Sequence, residues 1–209
     1  MSDQSAAGSG SFEIKSIGII GAGQMGGGIA HVCALAGYDV KLSDIGEERL
    51  EQALKTIGHN MDRQVAHNRI SAEDKTAALG RISTGLGYEL FRDCDLVIET
   101  ATENEDVKRG IFKGLCPALK PEAIVCSNTS SISITRLAAS TDRPGRFMGM
   151  HFMNPVPLMK LVELIRGIAT EEETFQAVKR LALELGKTPA TAEDFPAFIV
   201  NRILLPMIN

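Results

Sequence analysis

The stretch Lys15–Ala30, KSIGIIGAGQMGGGIA, leaves this chain few folds to choose from. An apolar run, Ile17, Ile19 and Ile20, ends in Gly21-Ala22-Gly23-Gln24-Met25-Gly26 and passes directly into small and apolar residues at helical spacing. That order reads as a strand, a glycine turn and a helix start. Gly21 permits the tight turn, Gly23 lets a diphosphate approach the backbone, and Gly26 lets the helix pack close against the strand. Free N–H groups and the partial positive charge of a helix N-terminus suit a diphosphate. Asp44 ends a second strand-like run, Asp39–Ser43, at roughly the 20-residue spacing of a ribose-binding carboxylate. A glycine turn by itself also fits a purely structural bend. The preceding strand and the acidic residue favour a dinucleotide, with Gly21, Gly23, Gln24, Met25, Gly26 and Asp44 as its candidate contacts.

A carboxylate in the position of Asp44 accepts hydrogen bonds from ribose hydroxyls and repels a 2′-phosphate, so NAD(H) is expected over NADP(H). The competing reading of Asp44 is a solvated strand end or a cap for the helix that follows.

Beyond Asp44 the chain alternates strands and helices. Residues 46–66 predict a long helix with Leu50, Ala53, Leu54, Ile57, Met61 and Val65 on one face. Ser71 with Glu73 and Asp74 predicts an N-cap and a second helix to about Leu79. Strands are expected at 82–86, 95–100, 123–127, 147–152, 160–165 and 188–192. Helices are expected at 106–119, 134–139 and 171–185, the last closed by Gly186. Such alternation is the signature of a doubly wound, mainly parallel α/β sheet with helices on both faces. Residues 1–11, MSDQSAAGSGS, are small and polar and read as a disordered tail.

Composition narrows the partners. With 209 residues, 44% hydrophobic and 23% charged, there is ample material for a core. A formal charge of −4 and no Lys/Arg block argue against nucleic acid. The uncharged window 17–38 is too glycine-rich for a membrane span, and no basic segment precedes it as in a signal peptide. Cys33, Cys94, Cys116 and Cys126 lack metal spacing, so no metal site is expected; they read as buried thiols in a reducing, cytoplasmic compartment.

Several residues are candidates for chemistry. His151 lies on an apolar strand before Asn154-Pro155-Val156-Pro157, and Glu163 lies on the next strand-like run, where an unpaired carboxylate would be costly. An imidazole whose second nitrogen is held by a buried carboxylate is a good general base near neutral pH. The alternatives are a satisfied core histidine and an exposed edge-strand carboxylate. Asn128 and Ser130 follow a strand at the edge where open α/β sheets bind ligands, although Asn-Thr-Ser-Ser is also ordinary turn and cap chemistry. Asn201 is a polar residue at an apolar helix start. Glu103 and Lys108 follow a strand end and face either a cofactor or solvent.

Taken together, IGIIGAGQMGGGIA, DLVIET with Glu103, SNTSSISIT, GMHFMNPVPLMKLVELI and FIVNRILLPMIN resemble the 3-hydroxyacyl-CoA dehydrogenases, including bacterial 3-hydroxybutyryl-CoA dehydrogenases, from about Ile14 to Asn209. HFMNPVPLMKLVE is far more specific than the glycine turn. The resemblance implies a Rossmann-like fold, NAD as cofactor, an acyl-CoA substrate and hydride exchange at C3. It implies His151 as general base, Glu163 as the residue orienting it, Ser130 on the reacting oxygen and Asn201 toward the thioester. Glu103, Lys108 and Asn128 fall near the nicotinamide and its ribose. It further implies residues 12–196 as the NAD-binding domain and 197–209 as the start of a helical second domain that supplies a homodimer interface.

Two departures stand out. Pro196-Ala197-Phe198 replaces the family's Pro-Gly-Phe, so Ala197 would be strained if that position needs a positive φ. Gln64–Arg69 replaces a lysine-rich pattern, leaving Arg63 and Arg69 as the candidates for coenzyme A phosphates. The apolar residues Ile203, Leu204, Leu205, Met207 and Ile208 are expected to lack cover. Two rival functions remain at this point: a sugar-acid dehydrogenase of the gulonate type, and a non-catalytic NAD(H)-binding module.

Overall fold

The computed structural model describes residues 12–196 and 198–208, without the side chains of residues 204–206 and 208. The expected tail at 1–11 and the conformation of Ala197 lie outside the described residues.

The chain runs β1 (Ser16–Ile20), α1 (Gln24–Leu35), β2 (Asp39–Ser43), α2 (Glu47–Ala66), α3 (Ala72–Gly80), β3 (Ile82–Gly85), β4 (Leu96–Glu99), α4 (Glu105–Leu115) and β5 (Ile124–Ser127). It continues through α5 (Ile134–Ala138), β6 (Phe147–Phe152), β7 (Leu161–Arg166), α6 (Glu172–Glu184), β8 (Thr188–Glu193) and α7 (Val200–Ile208). The eight strands form one sheet in the order β3-β2-β1-β4-β5-β6-β7-β8. Every neighbouring pair is parallel except β6 with β7. The expected doubly wound sheet is therefore present, with strand order reversing between β1 and β4.

Alternation within the central strands divides the core in two. Leu96 and Ile98 of β4 and Ile124 and Cys126 of β5 face α1, α2 and α6. Val97 and Val125 face the other way, toward Phe112 and Leu115 of α4 and Leu137 of α5. Both faces are buried, which is why these strands read as continuous apolar runs. On α2, Leu50, Ala53, Ile57 and Met61 are buried at helical spacing. Ser71 and Asp74 make a reciprocal capping box at the start of α3. All four cysteines are free and buried. No helix among the described residues is long and apolar enough to cross a membrane.

The reversal at β1 and β4 puts the C-terminal ends of β1, β4, β5 and β6 along one edge. Because β7 is antiparallel to β6, it starts at that same edge. Its far neighbour β8 makes it an interior strand.

On α7, Ile203 and Met207 are exposed, as expected of uncovered apolar residues. Phe198, beside Ala197, takes φ +48°, a left-handed conformation unusual for a bulky side chain.

Candidate active site

The glycine turn is built as its sequence requires. Gly21 takes φ +97°, and a Cβ there would come within 2.8 Å of the Ala101 backbone. At Gly26 a Cβ would lie 1.8 Å from the Gly21 carbonyl oxygen. Gly23 is the reverse case: nothing lies within 4 Å of a Cβ position, so the approach to its backbone is open. No side chain caps the start of α1 and no acidic residue occupies its first turn, so its N–H groups remain available to an anion. This cradle fits a dinucleotide diphosphate.

Asp44 does more than expected. One carboxylate oxygen accepts from the Ala22 amide at 2.7 Å and the other from the Ile45 amide at 2.7 Å, with Arg49 Nε 3.8 Å away. It therefore shapes the glycine turn, and its remaining lone pairs are what a ribose can use.

A cleft of about 440 Å³ opens at the strand ends, a volume suited to a small-molecule site, and is lined by Met25, Glu103, Lys108, Asn128, His151 and Asn201 among others. Ser130 lines it as well. His151 and Glu163 are direct cross-strand partners in the β6–β7 register. His151 Nδ1 lies 2.6 Å from Glu163 Oε2, and Glu163 is fully buried at 0% exposure. The other oxygen of Glu163 accepts from the Ile199 and Val200 amides at 2.9 and 2.8 Å, at the start of α7. The alternative of an exposed edge carboxylate is thus excluded: β8 covers what the sequence left open. With Nδ1 assigned as the donor to the carboxylate, Nε2 is the ring nitrogen left for the cleft.

Glu103 organises the β5–α5 loop through a single atom. Its Oε1 accepts from the Thr129 hydroxyl at 2.7 Å, the Ser130 amide and hydroxyl at 2.8 and 2.9 Å, and the Ser131 amide and hydroxyl at 3.2 and 3.1 Å. Turn chemistry and site-building coincide here, since Thr129 Oγ1 also accepts from the Ile132 amide. Asn128 Oδ1 accepts from the Phe152 amide at 2.8 Å, tying β5 to β6, and Asn201 Nδ2 donates to the Ser130 carbonyl at 3.1 Å.

Lys108 departs from the solvated reading. It is 1% exposed and paired with the fully buried Glu99, which also accepts from the Ser127 hydroxyl at 3.0 Å and the Ala101 amide at 2.8 Å. Glu99 and Ser127 are site-building residues that sequence reasoning missed. The available signal was a carboxylate ending the apolar run of β4.

Burial works to raise the carboxyl pKa of Glu163 and of Glu103, but their hydrogen bonds outweigh it. Those of Glu163 come from His151, Val200 and Ile199, and those of Glu103 from Thr129 and Ser130. Both titrate below the ordinary value of 4.5. A folded-state pKa lowered in this way gives stability that is present above 4.5 and lost as pH falls through the folded value. These two carboxylates are therefore expected to lower the melting temperature progressively as pH falls below about 4.5 in wild type. That acid slope should be smaller in Glu103→Gln; an identical slope would refute the assignment.

A second cleft lies beside the first, between α2 and the β6–β7 loop, and is lined by His31, Arg63, His67, Arg69, Pro155 and Pro157 among others. Between the two, Gly23, Gln24, Asn60, Pro155 and Pro157 line a connecting trough. Among the described residues no cluster of His, Cys, Asp and Glu could hold a metal ion.

A family model described as the NAD-binding domain of 3-hydroxyacyl-CoA dehydrogenase matches residues 16–195. The chain belongs to the 3-hydroxyacyl-CoA dehydrogenase family. It is an NAD-dependent oxidoreductase of that family. A 3-hydroxybutyryl-CoA dehydrogenase from Bradyrhizobium diazoefficiens is 64% identical over 196 residues, which cover 94% of this chain and 67% of the relative. A probable 3-hydroxybutyryl-CoA dehydrogenase from Bacillus subtilis is 47% identical, with 95% and 69% covered. Among solved structures, (S)-3-hydroxybutyryl-CoA dehydrogenase from Ralstonia eutropha superposes with a TM-score of 0.93 at 47% identity, covering 94% of this chain and 70% of that one.

Proposed function

We propose that this chain carries the cofactor site and acid–base machinery of an L-3-hydroxyacyl-CoA dehydrogenase for short acyl chains, interconverting 3-hydroxybutyryl-CoA and acetoacetyl-CoA. The observation that carries the reading is the buried His151–Glu163 pair on the wall of a cleft shared with the glycine-turn residue Met25. When bound, NAD supplies the hydride acceptor for alcohol oxidation, and its reduced form the donor for the reverse reaction.

His151 Nε2 takes the proton of the 3-hydroxyl as hydride leaves C3. In reverse, the imidazolium returns it to the developing alkoxide. Glu163 fixes the tautomer and stabilises the imidazolium. Ser130 already donates its proton to Glu103. In that state its oxygen can accept from a substrate hydroxyl, and it becomes a donor to a ketone only by releasing Glu103. Asn201, held by the Ser130 carbonyl, keeps its amide oxygen for the thioester end. Glu103, Lys108 and Asn128 line the nicotinamide side. Arg63 and Arg69, which line the second cleft, are assigned to the phosphates of coenzyme A.

Residues 12–196 act in this reading as the NAD-binding domain, and 197–209 begin a helical domain through which the complete enzyme forms a homodimer. The location is cytoplasmic, supported by four buried free thiols, and no nucleic acid or membrane takes part. The test is NADH consumption with acetoacetyl-CoA against the same assay with a gulonate-type sugar acid and NAD. Turnover of the sugar acid alone would overturn the reading.

Asp44 gives a separate expectation. NADH should bind at least about tenfold more tightly than NADPH, because a 2′-phosphate would meet a carboxylate already committed to two backbone amides. Fluorescence titration with both cofactors measures this, and tighter NADPH binding would remove Asp44 from cofactor selection.

A further inference from the structure

Lys187 occupies the turn between α6 and β8, and the chain keeps its charge in an unusual place. The residue is 8% exposed. Among the described residues no carboxylate lies within ion-pair distance of it. A buried ammonium is costly unless its protons are satisfied, and burial pulls its pKa below the ordinary lysine value. The structure satisfies it with backbone: Nζ donates to the Val156 carbonyl at 2.5 Å and to the Met159 carbonyl at 2.9 Å.

Both carbonyls belong to the β6–β7 loop. There the Leu158 and Met159 amides both donate to the Pro155 carbonyl at 3.0 Å, closing one tight turn. A cation at the carbonyl end of such a turn is favourably placed. On the opposite side Val156 is buried against α1, where a Cβ added to Gly28 would lie 3.0 Å from Val156 Cβ. The loop is thus gripped from two sides. What it presents outward is site wall: Asn154 lines the cleft of His151, while Pro155 and Pro157 line both the second cleft and the trough.

We propose that Lys187 is a positioning residue for substrate: from outside all three clefts, its ammonium sets the position of the Asn154–Met159 wall against which acyl-CoA binds. The proposal rests on the assignment of the second cleft to acyl-CoA. A methionine of similar length would leave the buried Val156 carbonyl and the part-buried Met159 carbonyl without this donor, whereas arginine has donors enough to restore both.

The test compares wild type with Lys187→Met and Lys187→Arg by amide hydrogen exchange and by steady-state reduction of acetoacetyl-CoA. In the Met variant, exchange at Leu158 and Met159 should accelerate by about tenfold or more, and KM for acetoacetyl-CoA should rise by about tenfold. The kcat should change by less than about threefold, since loss of ground-state positioning acts mainly on KM. The Arg variant should recover most of both. Unchanged loop exchange, or faster exchange with an unaltered KM, overturns the proposal. If Lys187→Met does not fold, Lys187→Gln, which keeps a donor without the charge, takes its place. A wild-type protein that leaves acetoacetyl-CoA unreacted counts against the substrate reading instead. In that case loop exchange and the Kd for free coenzyme A decide the role of Lys187.

Discussion

Replacing His151 by Gln should slow the reduction of acetoacetyl-CoA by about 10²- to 10⁴-fold at neutral pH, the range expected for loss of a general acid–base. The affinity for NADH should change little. The amide fills similar space and can still donate to Glu163 Oε2, which His151 Nδ1 meets at 2.6 Å in wild type. Glu163 would also keep its two bonds from the Ile199 and Val200 amides, so the start of α7 stays anchored. What disappears is the nitrogen that moves the proton. Single-turnover NADH oxidation with the variant measures this directly, and a rate within threefold of wild type would remove His151 from the mechanism. Glu163→Ala is expected to affect more than the rate, because it leaves the His151 ring and two helix-start amides without their acceptor.

Gly26→Ala should be the most damaging small substitution in the cofactor cradle. The new methyl would sit 1.8 Å from the Gly21 carbonyl oxygen and 2.7 Å from Thr100 Oγ1, and the first of these is backbone at the end of β1, tied to β2 by the Gly21 amide donating to the Ser43 carbonyl at 2.8 Å. Either α1 retreats from β1 or the turn opens. Overpacking of this kind costs about 3 kcal/mol or more, against the roughly 1 kcal/mol that alanine gains over glycine in a helix. Thermal denaturation should show a melting temperature lower by about 5 °C or more, with NADH binding weakened in parallel. Gly58→Ala in α2 is the control, since nothing lies within 4 Å of a Cβ there; it should stabilise by about 0.5–1 kcal/mol. If both variants melt alike, close packing at Gly26 is not what the glycine provides.

The order of strands and helices was readable because buried parallel strands and amphipathic helices write different periods, and β6 occupies the expected residues 147–152. Local chemistry was readable too, as at Ser71 and Asp74. What escaped was partnership across the sheet. Lys108 read as facing either a cofactor or solvent because its partner Glu99 ends a different element, and nothing in the spacing announces that α4 folds its lysine back over that strand end. Glu163 read as either buried or exposed because the choice belongs to β8, which begins 25 residues later and covers its far side. Lys187 follows a glycine that ends a helix, where a solvated lysine is the ordinary case. Its burial depends on a loop drawn in from before β7.

The antiparallel turn from β6 to β7 has one more consequence, which concerns how this chemistry tolerates change. His151 and Glu163 face each other because of ladder pairing and not because of the chain that joins them. The connection at 153–160 can therefore gain or lose residues and leave the dyad intact, provided the ladder re-forms in the same phase. Within the strands parity rules: losing Val162 alone would turn the carboxylate to the opposite face of the sheet, and losing Leu161 and Val162 together would bring it back to the right face at a different depth. Insertions here should sort by odd and even number as much as by size.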